Sequence, residues 1–164
     1  MKFTLRALTP DDWQIWKEIR LESLKIHPEA FGSSYEESSQ MADDSFRRAL
    51  QDTFVFGAFK EQELIGVARF AASQGVKQKH KGSLISVYLK KEHRGAGIAE
   101  ALIKKVIEHA KTQVSQLHCT VVADNTAAVE LYKKLGFKLY GTEPRSLRVA
   151  GKFYDEFLMV LMFT

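Results

Sequence analysis

The chain has 164 residues and a formal net charge of +4; 45% of its residues are hydrophobic and 27% are charged. This composition is typical of one soluble globular domain, large enough to bury about two-thirds of its unfolded surface. No apolar run reaches the ~20 residues of a membrane-spanning helix, and no signal-peptide core is present, so we expect a cytoplasmic protein. The single cysteine, Cys119, excludes an internal disulfide and is expected to be a buried, inert thiol.

The first half of the chain predicts a strand, two helices and a hairpin. Thr9 followed by Pro10 and two aspartates is typical of a helix start, and apolar residues at helical spacing follow it. A polar, acidic loop is expected at 35–39. The predicted elements are a strand at 2–7, a helix from Thr9 to about Lys25, a short helix at about 43–51, and strands at 53–59 and 63–72.

The second half predicts alternating strands and helices. Both faces of the segment 84–89 are apolar, which indicates a strand at the centre of a sheet. Apolar residues recur at helical spacing from Ala99 to Ala110 and predict an amphipathic helix. A strand at 117–123 then completes a parallel crossover. The remaining predicted elements are a helix at 126–135, and strands at 137–142 and 153–163 joined by a loop around Pro144 and Gly151.

Two basic clusters, 77–81 and 90–94, lie on either side of the central strand. They are either solvated loops or a positive field around a polyanionic ligand. No zinc-finger spacing, RNP-like aromatic pattern or sustained basic helix is present, so we expect no nucleic-acid partner. The five histidines show no metal-ligand spacing, so we expect no metal.

A glycine-containing loop lies between the central strand and the long helix. Gly95 and Gly97 lack a Cβ, so an anion can approach the backbone closely, and the N–H groups of a helix start attract negative charge. Two nucleotide fingerprints do not match: Glu100 stands where a dinucleotide fold requires glycine, and the Gly-Lys-Ser/Thr of triphosphatases is absent. What remains is an Arg-x-x-Gly-x-Ala motif at 94–99.

This motif resembles the acetyl-CoA signature of the Gcn5-related N-acetyltransferases (GNAT): Arg or Gln, two residues, Gly, one residue, then Gly or Ala. In that family the signature follows a strand of the Val-Tyr-Val type, which Val87–Leu89 matches. The segment 125–137 resembles a second family motif, which begins with Asn and ends in Tyr-x-x-x-Gly-Phe. The two motifs lie in the family's order and on matching predicted elements.

The resemblance implies an α/β (α+β) single domain over residues 1–164, with a mixed, mostly antiparallel sheet of about seven strands and about four helices. The sheet is expected to splay between the strand ending near Leu89 and the strand at 117–123. The cleft would hold acetyl-CoA as cosubstrate, with its pyrophosphate on the loop and its pantetheine arm beside the strand. The cofactor-binding residues implied are Val87, Tyr88, Leu89, Arg94, Gly95, Ala96, Gly97, Ile98, Ala99, Asn125 and Tyr132.

By analogy with the family, Tyr132 is the general acid that protonates the departing thiolate. A thiol has a pKa near ~8.5 and a phenol near ~10, so the driving force for this proton transfer is modest. The alternative is a buried helix tyrosine with a structural role only. Asn125 would bind pantetheine or cap its helix, and one side chain can do both.

The acceptor amine needs a base. An alkyl ammonium has a pKa near ~10.4, so its deprotonation near pH 7 costs about 4 kcal/mol unless the site removes the proton. Many family members place a glutamate in or near the central strand, where this chain has Ser83 and Ser86. A water chain is one substitute. The carboxylate candidates are Glu36, Glu37, Asp155 and Glu156.

The predicted function is direct transfer of acetyl from acetyl-CoA to a primary amine. Glu36 and Glu37 favour a small, cationic acceptor. The alternative is a non-catalytic acyl-CoA-binding module or sensor on the same fold, which the lack of an evident base on the central strand leaves open. No membrane partner is expected. The apolar last strand, 157–163, is either core or the interface of a homodimer.

Overall fold

Seven strands form one mixed sheet in residues 2–163, the part of the chain that this computed structural model describes. The strands are β1 (Thr4–Ala7), β2 (Phe54–Lys60), β3 (Glu63–Ala72), β4 (Lys81–Leu89), β5 (Gln116–Val122), β6 (Lys138–Val149) and β7 (Lys152–Met162). The helices are α1 (Trp13–Ile26), α2 (Tyr35–Ser38), α3 (Asp43–Asp52), α4 (Ile98–Lys111) and α5 (Thr126–Lys134). The prediction of seven strands is confirmed. The single turn of α2 replaces a predicted loop and brings the helices to five.

None of the five helices found between residues 2 and 163 has the length and apolar character needed to cross a membrane.

The strand order is β1-β2-β3-β4-β5-β7-β6, and β4 and β5 are the parallel pair within this sheet. The predicted mixed, mostly antiparallel architecture is therefore confirmed. β4 and β5 pair only from Lys81–Ser83 to Gln116–His118. Beyond this point β4 stays paired with β3 and β5 with β7, so the two strands diverge as predicted.

The sheet packs a hydrophobic core on each face. Successive residues of a strand point to opposite faces, so Val55 joins the core under α1 and α3 while Phe56 packs on the side of α4 and α5. Trp16 is the largest buried side chain of the first core, and Leu102 is fully buried in the second. The two cores fix the splayed strands between two helical layers.

A β-bulge lies in the diverging half of β4. Arg69 pairs with Ile85 and Val67 with Tyr88, so β4 carries one residue more than β3 in this interval. Ser86, inside the bulge, has a φ of 55°, in the left-handed region that non-glycine residues seldom adopt. The bulge therefore marks the point at which β4 bends away from a regular ladder.

The prediction of a loop around Pro144 is wrong. β6 continues through Pro144 to Val149, because β6 is the edge of the sheet and an edge strand tolerates a residue without an N–H. A register shift between Glu143 and Leu147 accommodates the proline, and the turn to β7 comes at Ala150 and Gly151 instead.

The last strand, β7, lies between β5 and β6, so its backbone is paired on both sides. Met159 at its centre is fully buried. Met162 near its end is 59% exposed, and the interpretation of this strand as core or as the interface of a homodimer stays a prediction.

Candidate active site

A first cavity of about 650 Å³ opens where β4 and β5 diverge. Its walls come from β4, the glycine loop, the start of α4, and α5. All of the predicted cofactor-binding residues except Ala96 line it; Ala96 lies in the same loop but outside the lining. The predicted residues in the lining are Val87, Tyr88, Leu89, Arg94, Gly95, Gly97, Ile98, Ala99, Asn125 and Tyr132.

The glycine loop lines this cavity, and the space beside its two glycines is open. Gly95 and Gly97 have φ values of 87° and 78°, which only glycine adopts without strain. A Cβ on either residue would meet no atom of the described residues 2–163 within 4 Å, so the space beside both glycines is open. Gly97 is the N-cap of α4, whose first N–H groups have no intrahelical acceptor. The loop therefore presents backbone donors to open space.

The one acidic side chain in the first turn of α4 is neutralised. Glu100 lies 2.9 Å from the amine of Lys134 and 3.0 Å from that of Lys104. Hydrogen bonds from these two lysines lower the pKa of its carboxyl. Glu100 lines the first cavity, and its charge is balanced where an anion would approach.

Arg94 connects the loop to the end of β4. Its Nε donates to the carbonyl of Leu89 at 3.1 Å, and Nη2 lies 3.2 Å from Nε2 of His27. The hydroxyl of Tyr88 donates to Glu22 at 2.7 Å, on the side of α1. Burial is the main cause that raises the pKa of Tyr88. These bonds fix the rim of the first cavity at the C-terminal end of β4.

Asn125 and Tyr132 lie at the inner end of the first cavity. The side-chain oxygen of Asn125 accepts from the N–H of Ala128 at 3.3 Å, so Asn125 is the N-cap of α5. Tyr132 is buried, and burial, with a smaller contribution from Cys119, raises its pKa. The phenol is protonated at neutral pH, and its raised pKa makes it a weaker acid than a free phenol.

A second cavity of about 360 Å³ adjoins the first. Both are lined by Val87, Asn125 and Tyr132, so the two cavities meet at these residues. The remaining polar lining of the second cavity comes from elements far apart in the chain: Arg20, Ser33, Arg69, Ser86, Thr120 and Glu156.

Of the four carboxylates considered as a base, Glu156 lines the second cavity. The hydroxyl of Ser146 donates to its Oε1. Asp155 is exposed and accepts from the N–H of Arg145 at 2.8 Å. Glu36 and Glu37 lie on the exposed side of α2 and line neither cavity, because the short helix turns them outward. The expectation that Glu36 and Glu37 face the acceptor is therefore not supported.

Two functional candidates, Arg20 and Arg69, were not predicted from the sequence. A signal was present for each: Arg69 interrupts an apolar strand, and Arg20 follows Ile19 on the apolar face of a helix. Both arginines also line a third cavity of about 380 Å³ on the α3 side, which shares Ser33 with the second.

The comparisons agree with this geometry. A family model described as the acetyltransferase (GNAT) family matches residues 13–137. The chain belongs to this family. The GNAT model covers the second motif to its final Phe137 and includes every residue that lines the first cavity and, apart from Glu156, every residue that lines the second.

Curated relatives and solved GNAT structures are similar to different extents. L-amino acid N-acetyltransferase AaaT of Escherichia coli is 32% identical over 40% of this chain and 42% of its own length. Mycothiol acetyltransferase of Paenarthrobacter aurescens is 31% identical over 85% of this chain and 44% of its own length. The chain thus spans less than half of either relative. A GNAT-family acetyltransferase of Streptococcus pneumoniae, 23% identical, shares the fold with a TM-score of 0.88 over 98% of this chain and 99% of that one.

Proposed function

We propose that this protein transfers the acetyl group of acetyl-CoA directly to a primary amine of a small molecule. The observation that carries the proposal is the junction of two cavities at Tyr132, within a sheet that opens between β4 and β5. One cavity suits a long donor and the other a small acceptor. The printed names of the curated relatives, which are N-acetyltransferases or acetyltransferases, support the same reaction.

The residues of the first cavity fit coenzyme A. Its pyrophosphate needs backbone donors and positive potential, which the loop at 94–97 and the start of α4 supply. Its pantetheine arm needs an exposed strand edge, and β4 beyond Ser83 has no neighbour on the β5 side. A structure of yncA from Salmonella typhimurium, solved with its cofactor acetyl-CoA, has the same fold with a TM-score of 0.87 over the whole of this chain and 95% of that one.

In this reaction acetyl-CoA supplies an acetyl group activated as a thioester. Backbone groups of Val87–Leu89 orient the thioester at the open edge of β4. Glu156 accepts the proton that the acceptor's ammonium must lose before its nitrogen can attack. Tyr132 donates its phenol proton to the leaving sulfur and regains a proton from the nitrogen of the new amide, so that the proton on Glu156 is the one released to solvent. The new bond is the amide N–C bond, and the broken bond is the thioester C–S bond.

A binding assay and a thiol-release assay test the proposal together. We expect coenzyme A to raise the melting temperature and acetyl-CoA to release thiol in the presence of at least one primary amine. Binding of coenzyme A without turnover of any amine would favour the non-catalytic module. Lack of coenzyme A binding at millimolar concentration would contradict the proposal at its first step.

A further inference from the structure

Two arginines face the same cavity as Tyr132 and lack an ionic partner among residues 2–163. Arg20 lies on α1 and Arg69 on β3, and both line the second cavity. Among the salt bridges of residues 2–163, other arginines have a carboxylate: Arg6 pairs with Asp12, and Arg47 with Asp44. No carboxylate in this part of the chain lies within 4 Å of either Arg20 or Arg69.

The hydrogen bonds of this pair are incomplete. Nε of Arg69 donates to the hydroxyl of Thr53 at 2.9 Å, a neutral acceptor. Nη1 of Arg20 is buried and has no hydrogen-bond partner among residues 2–163. A buried donor without a partner is costly, and the cost falls when a ligand anion supplies the missing contact. A negatively charged group bound in the second cavity would therefore supply the missing contact.

Aromatic rings hold the two guanidinium groups in place. Arg20 lies 5.1 Å from the centroid of the Phe31 ring, and Arg69 lies 5.8 Å from that of Trp16. Burial lowers the pKa of both, and the charge of Arg69 lowers that of Arg20 further, to about 10. Both groups still carry a full charge at neutral pH. Two adjacent cations of fixed orientation suit a carboxylate, which accepts hydrogen bonds on two oxygens.

The same cavity also carries a negative charge. Glu156 lines it from β7, together with Tyr132 from α5. A ligand that satisfies every charged group of this cavity must carry an anion for the arginines and an ammonium for Glu156. A polyamine would place a cation beside two arginines, which Coulomb repulsion opposes.

From this pairing of charges we infer that the acceptor is an amino acid: Arg20 and Arg69 bind its carboxylate, and its amine faces Glu156 and Tyr132. The inference rests on the proposed function and names its substrate class. It also replaces the expectation of a cationic acceptor, which rested on Glu36 and Glu37. The two arginines act as specificity-determining residues, because they contact the carboxylate of the acceptor and not its reacting nitrogen.

Matched ligands test the inference on the unaltered protein. Thiol release is first measured with the twenty amino acids and with spermidine. The best amino acid is then compared with its amide, with the decarboxylated amine of the same side chain, and with its aminophosphonate. We expect kcat/KM to be about 100-fold higher for the amino acid than for the amide or the amine, since hydrogen bonds between charged groups are worth roughly 10- to 150-fold in affinity.

The other outcomes separate the two proposals. Equal activity with the amide or amine, or activity with spermidine alone, would overturn the amino acid but leave the acetyltransferase intact. A higher kcat/KM for the aminophosphonate would overturn the carboxylate in favour of a phosphoryl group. Binding of coenzyme A with no activity on any amine would overturn the proposed function itself.

Variants then assign the carboxylate to the arginines. For Arg20→Gln and Arg69→Gln we expect KM for the amino acid to rise about 10- to 100-fold, while KM for acetyl-CoA stays unchanged. Preference for the amino acid over its amide should fall toward one, and Arg69→Lys should keep part of it. Arg47→Gln, at an arginine that lies outside the cavities, is the matched control.

A loss of the same size for amino acid and amide would show that the arginines are structural and overturn the assignment. Melting temperatures identify any variant that fails to fold.

Discussion

The two cavities that meet at Tyr132 are built by different means. The first is lined by a strand edge, a loop with two left-handed glycines, and a helix start, which offer backbone groups to a ligand. The second carries charged side chains from α1, β3 and β7 in an otherwise uncharged lining. Backbone recognition depends on chain geometry, whereas side-chain recognition depends on residue identity. On the proposed function, single substitutions in the second cavity should therefore change the acceptor and leave the donor unchanged.

The largest effect is expected for a variant of Tyr132, the residue at which the two cavities meet. Tyr132→Phe removes the proton for the leaving sulfur, so we expect kcat to fall about 100- to 1,000-fold. Because the ring remains, KM for acetyl-CoA should change by less than about 2-fold. Steady-state kinetics on both substrates measure the two effects, with the exposed Tyr140→Phe as control. Unchanged turnover would remove Tyr132 from the chemistry.

The next largest effect is expected on the acceptor side. Glu156→Gln removes the group that takes the ammonium proton, so we expect about 100-fold lower kcat at pH 7. The rate of the variant should then rise about tenfold per pH unit between pH 7 and 9, because only the free amine fraction reacts. A pH–rate profile, compared with that of Asp155→Asn, measures this. A profile identical to the unaltered protein would assign the base to a water chain instead.

A smaller effect is expected in the first cavity. There a variant should change the KM for the donor and leave the KM for the acceptor unchanged, the reverse of the Arg20 and Arg69 variants. Arg94→Gln removes the bond from Nε to the Leu89 carbonyl and one positive charge beside the loop. We expect KM for acetyl-CoA to rise about 10-fold and KM for the acceptor to stay unchanged. If the acceptor's KM rises equally, the two cavities are not independent.

The smallest effect depends on whether water reaches the buried thiol of Cys119, near Tyr132. Burial raises the pKa of the Cys119 thiol from 9.0 to about 12. The folded state favours the neutral thiol, so this contribution to stability is complete below about pH 9 and is lost as pH rises toward 12. Between pH 8 and 10 the unaltered protein should lose about 1.4 kcal/mol more unfolding free energy than Cys119→Ala. Urea unfolding at both pH values measures the difference; equal losses would mean that water reaches the thiol.

The same division explains what could be predicted from the sequence. The residues proposed to bind the donor lie in two continuous segments, 87–99 and 125–132, whose spacing alone predicts a strand, a loop and a helix start. Helix α4 was predicted to within a few residues, because its apolar face is periodic. The splay of β4 from β5 followed from the family resemblance.

The acceptor site could not be predicted in this way. Arg20, Arg69 and Glu156 come together only through the pairing of β3 with β4 and of β5 with β7, which no local pattern specifies. The acidic pair at 36–37 lines neither cavity, since charge density in sequence does not indicate direction in space. Pro144 misled for a related reason, since its tolerance depends on β6 lying at the sheet edge.

The short contact between β4 and β5 bears on the cohesion of the sheet. Three residue pairs join the half-sheet β1–β4 to the half-sheet β5–β7. Beyond these pairs, β4 and β5 each have a partner strand on one side only. A coenzyme A molecule bound between the diverging parts of β4 and β5 would contact both half-sheets and hold them together. At a concentration 100 times its Kd it would add about 2.7 kcal/mol to the folded state, and amide hydrogen exchange in β4 after Ser83 and in β5 after His118 should slow. The supply of donor in the cell would then govern how firmly the two halves of the protein hold together.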